Sequence, residues 1–120
     1  MLQDEVFLPR VQLDADYTAR ATVSAAEFAR IMGLYQSLSD TAQASPNTRS
    51  GLTFCQASGL QLDLFGTMPG QKRPVVMFIH GGYWRALSRG QSAFAAPMLA
   101  AQGIACAVPD YRLAPEASMT

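Results

Sequence analysis

Residues 73–84 read RPVVMFIHGGYW. After Arg73 and Pro74 come Val75, Val76, Met77, Phe78 and Ile79, then His80, the pair Gly81 and Gly82, and finally Tyr83 and Trp84. An apolar run without alternation predicts a strand covered on both faces, as in a parallel sheet flanked by helices. Its exit through two adjacent glycines predicts a turn that needs φ > 0, or one where another atom must come close to the backbone. A strand leaving through such a turn towards a helix presents N–H groups that could hold a phosphate or the oxyanion of a tetrahedral acyl intermediate. The phosphate motifs G-x-G-x-x-G and G-x-x-x-x-G-K-[ST] are absent, and Arg85 is the only cation beside the turn. Tyr83 and Trp84 suit the wall of an apolar pocket, which favours the oxyanion reading.

Downstream of the turn, Ser88 and Gln91 have the spacing of a capping box, and residues 91–102 are alanine-rich with Phe94, Met98 and Leu99 on one side. A helix is predicted there, ending at Gly103, with Pro97 forcing it to start late or to kink. Ile104 to Val108 is a second continuous apolar strand. Strand, helix, strand makes a right-handed βαβ unit and places the chain in the α/β class. Upstream, Leu52 to Ala57 and the alternating Leu60, Leu62 and Leu64 form a predicted β-hairpin around Ser58 and Gly59, with Gln61 and Asp63 towards solvent. Ser24 and Glu27 make another capping box with Val23 and Phe28 as its staple. Phe28, Ile31, Met32, Tyr35 and Leu38 then fall on one face of a helix over about residues 25–38. The organisation expected is an extended arm over 1–22, a helical segment over 23–40, a loop through SPNTRSG, and the start of a sheet over 52–120.

The composition excludes several functions. Nine basic and nine acidic side chains cancel, so nothing favours nucleic acid or an anionic membrane. The longest apolar runs, 75–79 and 93–101, fall far short of the ~20 residues of a spanning helix. The opening MLQDEVFLPR carries two acids where a secretory leader carries bases, which reads as cytoplasmic rather than exported. Cys55 and Cys106 form no C-x-x-C pattern and are read as buried, reduced thiols. His80 is the only histidine, so no metal site is expected.

HGGYW after a buried strand, followed by PDYRLAPE at residues 109–116, resembles the α/β-hydrolase superfamily. Hormone-sensitive-lipase-type esterases carry similar HGG-G and DYRLAPE stretches. The HGG-x-W form, the preceding LDLF of residues 62–65 and LDADYTARA of residues 13–21 are more similar to kynurenine formamidase (arylformamidase). The resemblance touches residues 13–116. It implies that backbone N–H groups of Gly81, Gly82 and Tyr83 build an oxyanion hole, with Tyr83 and Trp84 beside the substrate. His80 would orient the turn, Trp84 would pack against it, and Asp110 and Tyr111 would brace the loop beneath. The implied substrate is a small amide or ester, an aryl formamide such as N-formylkynurenine first and a general carboxylester second. No cofactor is implied.

The family also requires a serine in G-x-S-x-G, then an acid and a histidine. No serine here has glycines two positions to either side, and the only histidine sits in the turn. The expectation is an N-terminal hydrolase fragment, inactive alone, that supplies the oxyanion hole without the triad. In the family's sheet order its third strand would then lie open. Val75 to Ile79 is an expected site of homo-oligomer formation or aggregation. The reading from another class is a noncatalytic binding or assembly module using that edge.

Overall fold

The computed structural model describes residues 8–118, which fall in two compact units, Met1–Met32 and Gly33–Thr120. Residues 1–7 of the expected arm and residues 119–120 lie outside the described residues.

The pattern over 1–22 predicts an extended arm, and the first unit corrects it. Residues Arg10–Tyr17 form a helix, α1, and Ala19–Thr22 a 3-10 turn. Apolar periodicity did not reveal α1 because none of its residues is buried. It is held by polar pairs at helical spacing instead: Arg10 to Asp14 at 2.7 Å and Gln12 to Asp16 at 2.8 Å. The Arg20 guanidinium lies 4.2 Å from the centre of the Phe28 ring, a cation–π contact. Helix α2, Ala25–Gln43, begins in this unit as its cap predicts, with the Glu27 N–H donating to Ser24 Oγ at 3.1 Å. The Glu27 carboxylate turns forward to Arg30, whose hydrogen bonds hold its pKa below the usual carboxylate value.

In the second unit α2 runs five residues past Leu38, through residues read as loop. The stretch SDTAQ is polar by composition, yet Ser39 and Ala42 face inward and are fully buried. Ser39 Oγ accepts the Ala93 N–H at 3.1 Å, so its hydroxyl caps a backbone donor that burial would otherwise strand.

Four strands follow: β1 Arg49–Cys55, β2 Leu60–Phe65, β3 Val75–Met77 and β4 Ala105–Pro109, in the spatial order β1-β2-β4-β3. β1 and β2 are the predicted antiparallel hairpin, with register shifts that break the outer ladder. β2 pairs antiparallel with β4, and β3 pairs parallel with β4. Having a partner on each side, β4 is the buried strand. Cys106 and Val108 enter the core with Phe65, Ala42, Ala93 and Ala96, and Phe78 and Leu99 pack against it. Phe94 lies between Tyr35, tilted at 4.8 Å, and Phe78, edge-to-face at 5.3 Å. Both cysteines are free. Cys106 is buried as expected, whereas Cys55 at the end of β1 is only half-buried. A hydrogen bond from Ser58 holds the Cys55 thiol below its ordinary pKa, and burial pushes Cys106 up.

Three strand and helix expectations change. β3 is not covered on both faces: Val75 is 61 % exposed and Ile79, just beyond the strand, 63 %, because the cover is not among the described residues; β3 also ends the sheet, with β4 alone as neighbour. Helix α3 is Ala96–Ala101, later than residues 91–102, since Pro97 belongs in a first turn where its missing N–H costs nothing. The Ser88 cap is real but starts a 3-10 turn, Arg89–Gln91, with Ser88 Oγ accepting the Gly90 N–H at 3.2 Å. Gly103 closes α3 with φ +74°: its N–H reaches Ala100 O and the Ile104 N–H reaches Leu99 O, the Schellman pattern.

A further change is at Asp63. Alternation along β2 puts it in solvent; it is 2 % exposed. Its Oδ1 accepts the Gly51 N–H at 2.8 Å and Arg89 Nε at 3.0 Å, and its Oδ2 accepts the Gln43 amide at 2.8 Å. Removing this charge while keeping the shape, Asp63→Asn, should cost about 2–3 kcal/mol in urea unfolding, below the ~3–5 kcal/mol of a fully buried pair because Arg89 keeps some exposure. Asp14→Asn, which breaks the exposed pair in α1, should cost under about 0.5 kcal/mol. Equal costs for the two variants would contradict this description.

Candidate active site

The turn after β3 is left-handed over three consecutive residues. Gly82 has φ +112°, and Tyr83 and Trp84 both have φ +55°. Two bulky aromatics in succession in this region are uncommon and cost on the order of 1–3 kcal/mol each, so the surrounding structure must hold them there. Part of that hold is local, since the Arg85 and Ala86 N–H groups both donate to Gly82 O, at 3.0 and 3.1 Å. The rest comes from the segment after β4, where the Ala114 N–H donates to Trp84 O at 2.7 Å.

The two glycines differ in why they are glycines. A Cβ on Gly82 would lie 2.1 Å from Ala86 O, so the turn itself demands glycine there. A Cβ on Gly81 would meet nothing within 4 Å, and its φ is not positive. Neither backbone conformation nor packing among the described residues requires glycine at 81.

Tyr111 sets the direction of the peptide groups. Its hydroxyl donates to His80 O at 2.9 Å, with Gly81 O at 3.3 Å beside it. Gly81 O is also 2.8 Å from His80 Nδ1, a hydrogen bond that puts the ring proton on Nδ1. The His80 ring is buried and stacks on Tyr111, with centroids 4.3 Å apart and planes at 16°. In a planar trans peptide the N–H points opposite to the C=O. Holding the carbonyls of His80 and Gly81 against Tyr111 and His80 therefore turns the N–H groups of Gly81 and Gly82 the other way. Among the described residues no acceptor is bonded to either N–H.

A cavity of about 510 Å³ opens here, lined by Ile79, His80, Gly81, Tyr83, Trp84 and Tyr111. The structure thus brings together most of the residues expected from the sequence. Gly82 shapes the turn without lining the cavity. Trp84 is half exposed and forms a wall, rather than packing closely against the turn as expected. Asp110 does not line the cavity, and its carboxylate accepts the Arg89 N–H at 2.8 Å and pairs with the Arg89 guanidinium.

The pattern of residues gave no warning of Arg89. Its guanidinium reaches Asp63 through Nε at 3.0 Å, Asp110 through Nη1 and Gln61 Oε1 through Nη2 at 3.0 Å. Burial would lower its pKa, and the hydrogen bonds to Asp110 and Asp63 outweigh that, so it stays above its ordinary value. The available signal was an acid, Asp63, inside an apolar strand next to the sheet centre, which asks for a buried cation. No group of three or more His, Cys, Asp or Glu that could hold a metal occurs among the described residues. No helix there is long and apolar enough to cross a membrane.

No family model matches the sequence. The chain is 30 % identical over 111 residues to kynurenine formamidase of Danio rerio, which covers 90 % of this chain and 34 % of that protein. It is 30 % identical over 81 residues to kynurenine formamidase of Salmo salar, covering 67 % of this chain and 28 % of that one. The chain therefore spans about a third of the length of these relatives. Among solved structures, one described as a thioesterase from Silicibacter sp. TM1040 superimposes with a TM-score of 0.67 at 27 % identity, over 88 % of this chain and 40 % of that chain. A hyperthermophilic esterase from the archaeon Pyrobaculum calidifontis shares the fold with a TM-score of 0.57 at 19 % identity, over 91 % of this chain and 36 % of its own. With its four-stranded partial sheet and its HGGYW turn, the chain carries the N-terminal portion of an α/β-hydrolase fold of the formamidase-like kind.

Proposed function

We propose that this chain supplies the oxyanion-binding element of a serine hydrolase that cleaves an amide or ester. Its N–H groups at Gly81, Gly82 and Tyr83 would donate hydrogen bonds to the carbonyl oxygen as negative charge develops on it in the tetrahedral intermediate. Donors already aimed at that position cost no reorganisation during the reaction, and each contributes about 10²–10³ in rate. The observation that carries this reading is Gly81. It lines the cavity, its N–H has no acceptor among the described residues, and the space where a side chain would stand is open. Such a residue leaves room for a substrate carbonyl to reach the backbone.

Tyr83 and Trp84 would flank the substrate, an aryl formamide such as N-formylkynurenine in view of the formamidase relatives. A carboxylester is the second reading, favoured by the esterase-like fold neighbours. His80 would serve as a positioning residue and not as the base, since its Nδ1 is bonded to Gly81 O. The 120 residues hold no other histidine and no G-x-S-x-G, so the nucleophile and its base would come from sequence outside them. This proposal has the chain working in the cytoplasm with both thiols reduced. It also makes Val75 to Ile79, the open edge at β3 and the two residues after it, the place where two copies of this chain would pair if it is studied alone.

The test begins with the two glycines. Gly82→Ala should destabilise the fold by about 3 kcal/mol or more in urea unfolding, while Gly81→Ala should change stability by less than about 0.5 kcal/mol. The 120-residue chain should turn over neither p-nitrophenyl acetate nor N-formylkynurenine; hydrolysis by it alone would defeat the proposal. Joined to the remaining two thirds of a kynurenine formamidase, it should hydrolyse N-formylkynurenine, and Gly81→Ala should then lower kcat/KM about tenfold or more. Full activity in that folded variant would show that the substrate does not use the open space at Gly81, and turnover of the ester alone would select the esterase reading.

A further inference from the structure

Beside the cavity, and sharing Tyr111 with it as a wall, lies an open groove of about 590 Å³. Its polar lining includes Ser58, Arg85, Ser88, Asp110, Arg112 and Glu116. Arg85 directly follows Trp84 in the left-handed turn, so the groove adjoins the cavity at both Tyr111 and the turn. Four other arginines are held by hydrogen bonds or ion pairs, Arg10 on Asp14, Arg30 on Glu27, Arg73 on Gly66 O and Arg89 on Asp63 and Asp110, and Arg20 lies over the Phe28 ring. Arg85 and Arg112 are exposed residues that line one groove, and neither guanidinium makes a hydrogen bond or ion pair among the described residues. Of the two acids that line it, Asp110 is committed on both oxygens to Arg89. Glu116 remains, and the uncommitted lining carries one net positive charge.

We propose that this groove is a carboxylate-binding subsite, in which Arg85 and Arg112 hold the anionic end of a substrate whose scissile carbonyl sits against Gly81. It rests on the reading of the cavity given above and narrows its substrate class to molecules bearing a carboxylate at a distance from the cleaved bond. Guanidinium groups offer planar paired donors that match a carboxylate. One net positive charge suits a single carboxylate group better than a phosphate dianion. Because both arginines are exposed, their contribution is modest and screened by salt.

The experiment compares 4-phenylbutyrate with its neutral isostere 4-phenylbutyramide, titrated into the 15N-labelled chain at pH 7 and followed through backbone amide shifts. The carboxylate should bind about fivefold tighter at low salt and lose that advantage at 0.5 M NaCl. It should move the amides of Arg85 and Arg112 together with those of Gly81 and Tyr83. Arg85→Gln and Arg112→Gln should each remove most of the advantage and leave the amide ligand's affinity within twofold. Equal affinity for the two ligands, or an advantage that survives both substitutions, overturns the subsite while shifts at Gly81 and Tyr83 keep the cavity reading intact. If neither ligand shifts Gly81, Tyr83 or Trp84, the cavity reading fails and the subsite with it.

Discussion

A single guanidinium ties the second unit together. Arg89 reaches Asp63 and Gln61 on β2 and Asp110 just beyond β4, while Asp63 itself holds Gln43 of α2 and Gly51 of β1. Asp63 is almost wholly buried, and a carboxylate in that position without a partner would cost several kcal/mol. The cluster is costly to bury and weak as a source of net stability. What it contributes is geometry, because few arrangements of β2, β4 and the 3-10 turn satisfy every donor and acceptor at once. Among the described side chains no buried polar atom lacks a partner.

That geometry passes to the turn through the chain itself. Asp110 is held by Arg89 on its side chain and by Gln61 O on its N–H, at 2.9 Å. Tyr111 is the next residue; its ring stacks on His80, and its hydroxyl reaches the carbonyls of His80 and Gly81. The left-handed backbone at Tyr83 and Trp84 is a local cost that a free loop would relieve. Here it is kept by the bonds from Ala114 and Tyr111 on one side and by the Gly82 turn on the other. The stretches HGGYW and PDYRLAPE, so far apart in sequence, are thus two halves of one structure.

What could be read from the sequence follows from which forces leave a pattern. The βαβ order, the β1–β2 hairpin, the Ser24 cap and the Gly103 stop were legible because apolar runs and capping residues report local preferences directly. The turn was legible because Gly82 has no substitute at φ +112°. Asp63 was not, since alternation assigns every second residue of a strand to solvent and takes no account of a cation supplied from residue 89. The last turn of α2 was missed for a related reason: Ser39 is polar by type but is buried by its bond to the Ala93 N–H. The exposure of β3 is a different case. Its composition is that of a covered strand, and the cover is not among the described residues.

The central claim is that the Arg89 cluster, acting through Asp110 and Tyr111, holds the turn in its left-handed form. Arg89→Lys tests this most directly, because it keeps the charge and loses the fork that spans Asp63, Asp110 and Gln61 at once. Amide hydrogen exchange read residue by residue should show the Ala114 N–H, bonded to Trp84 O, exchanging at least tenfold faster than in the parent. The β2–β4 amides should meanwhile stay protected. Unchanged protection at Ala114 in that folded variant would contradict the account.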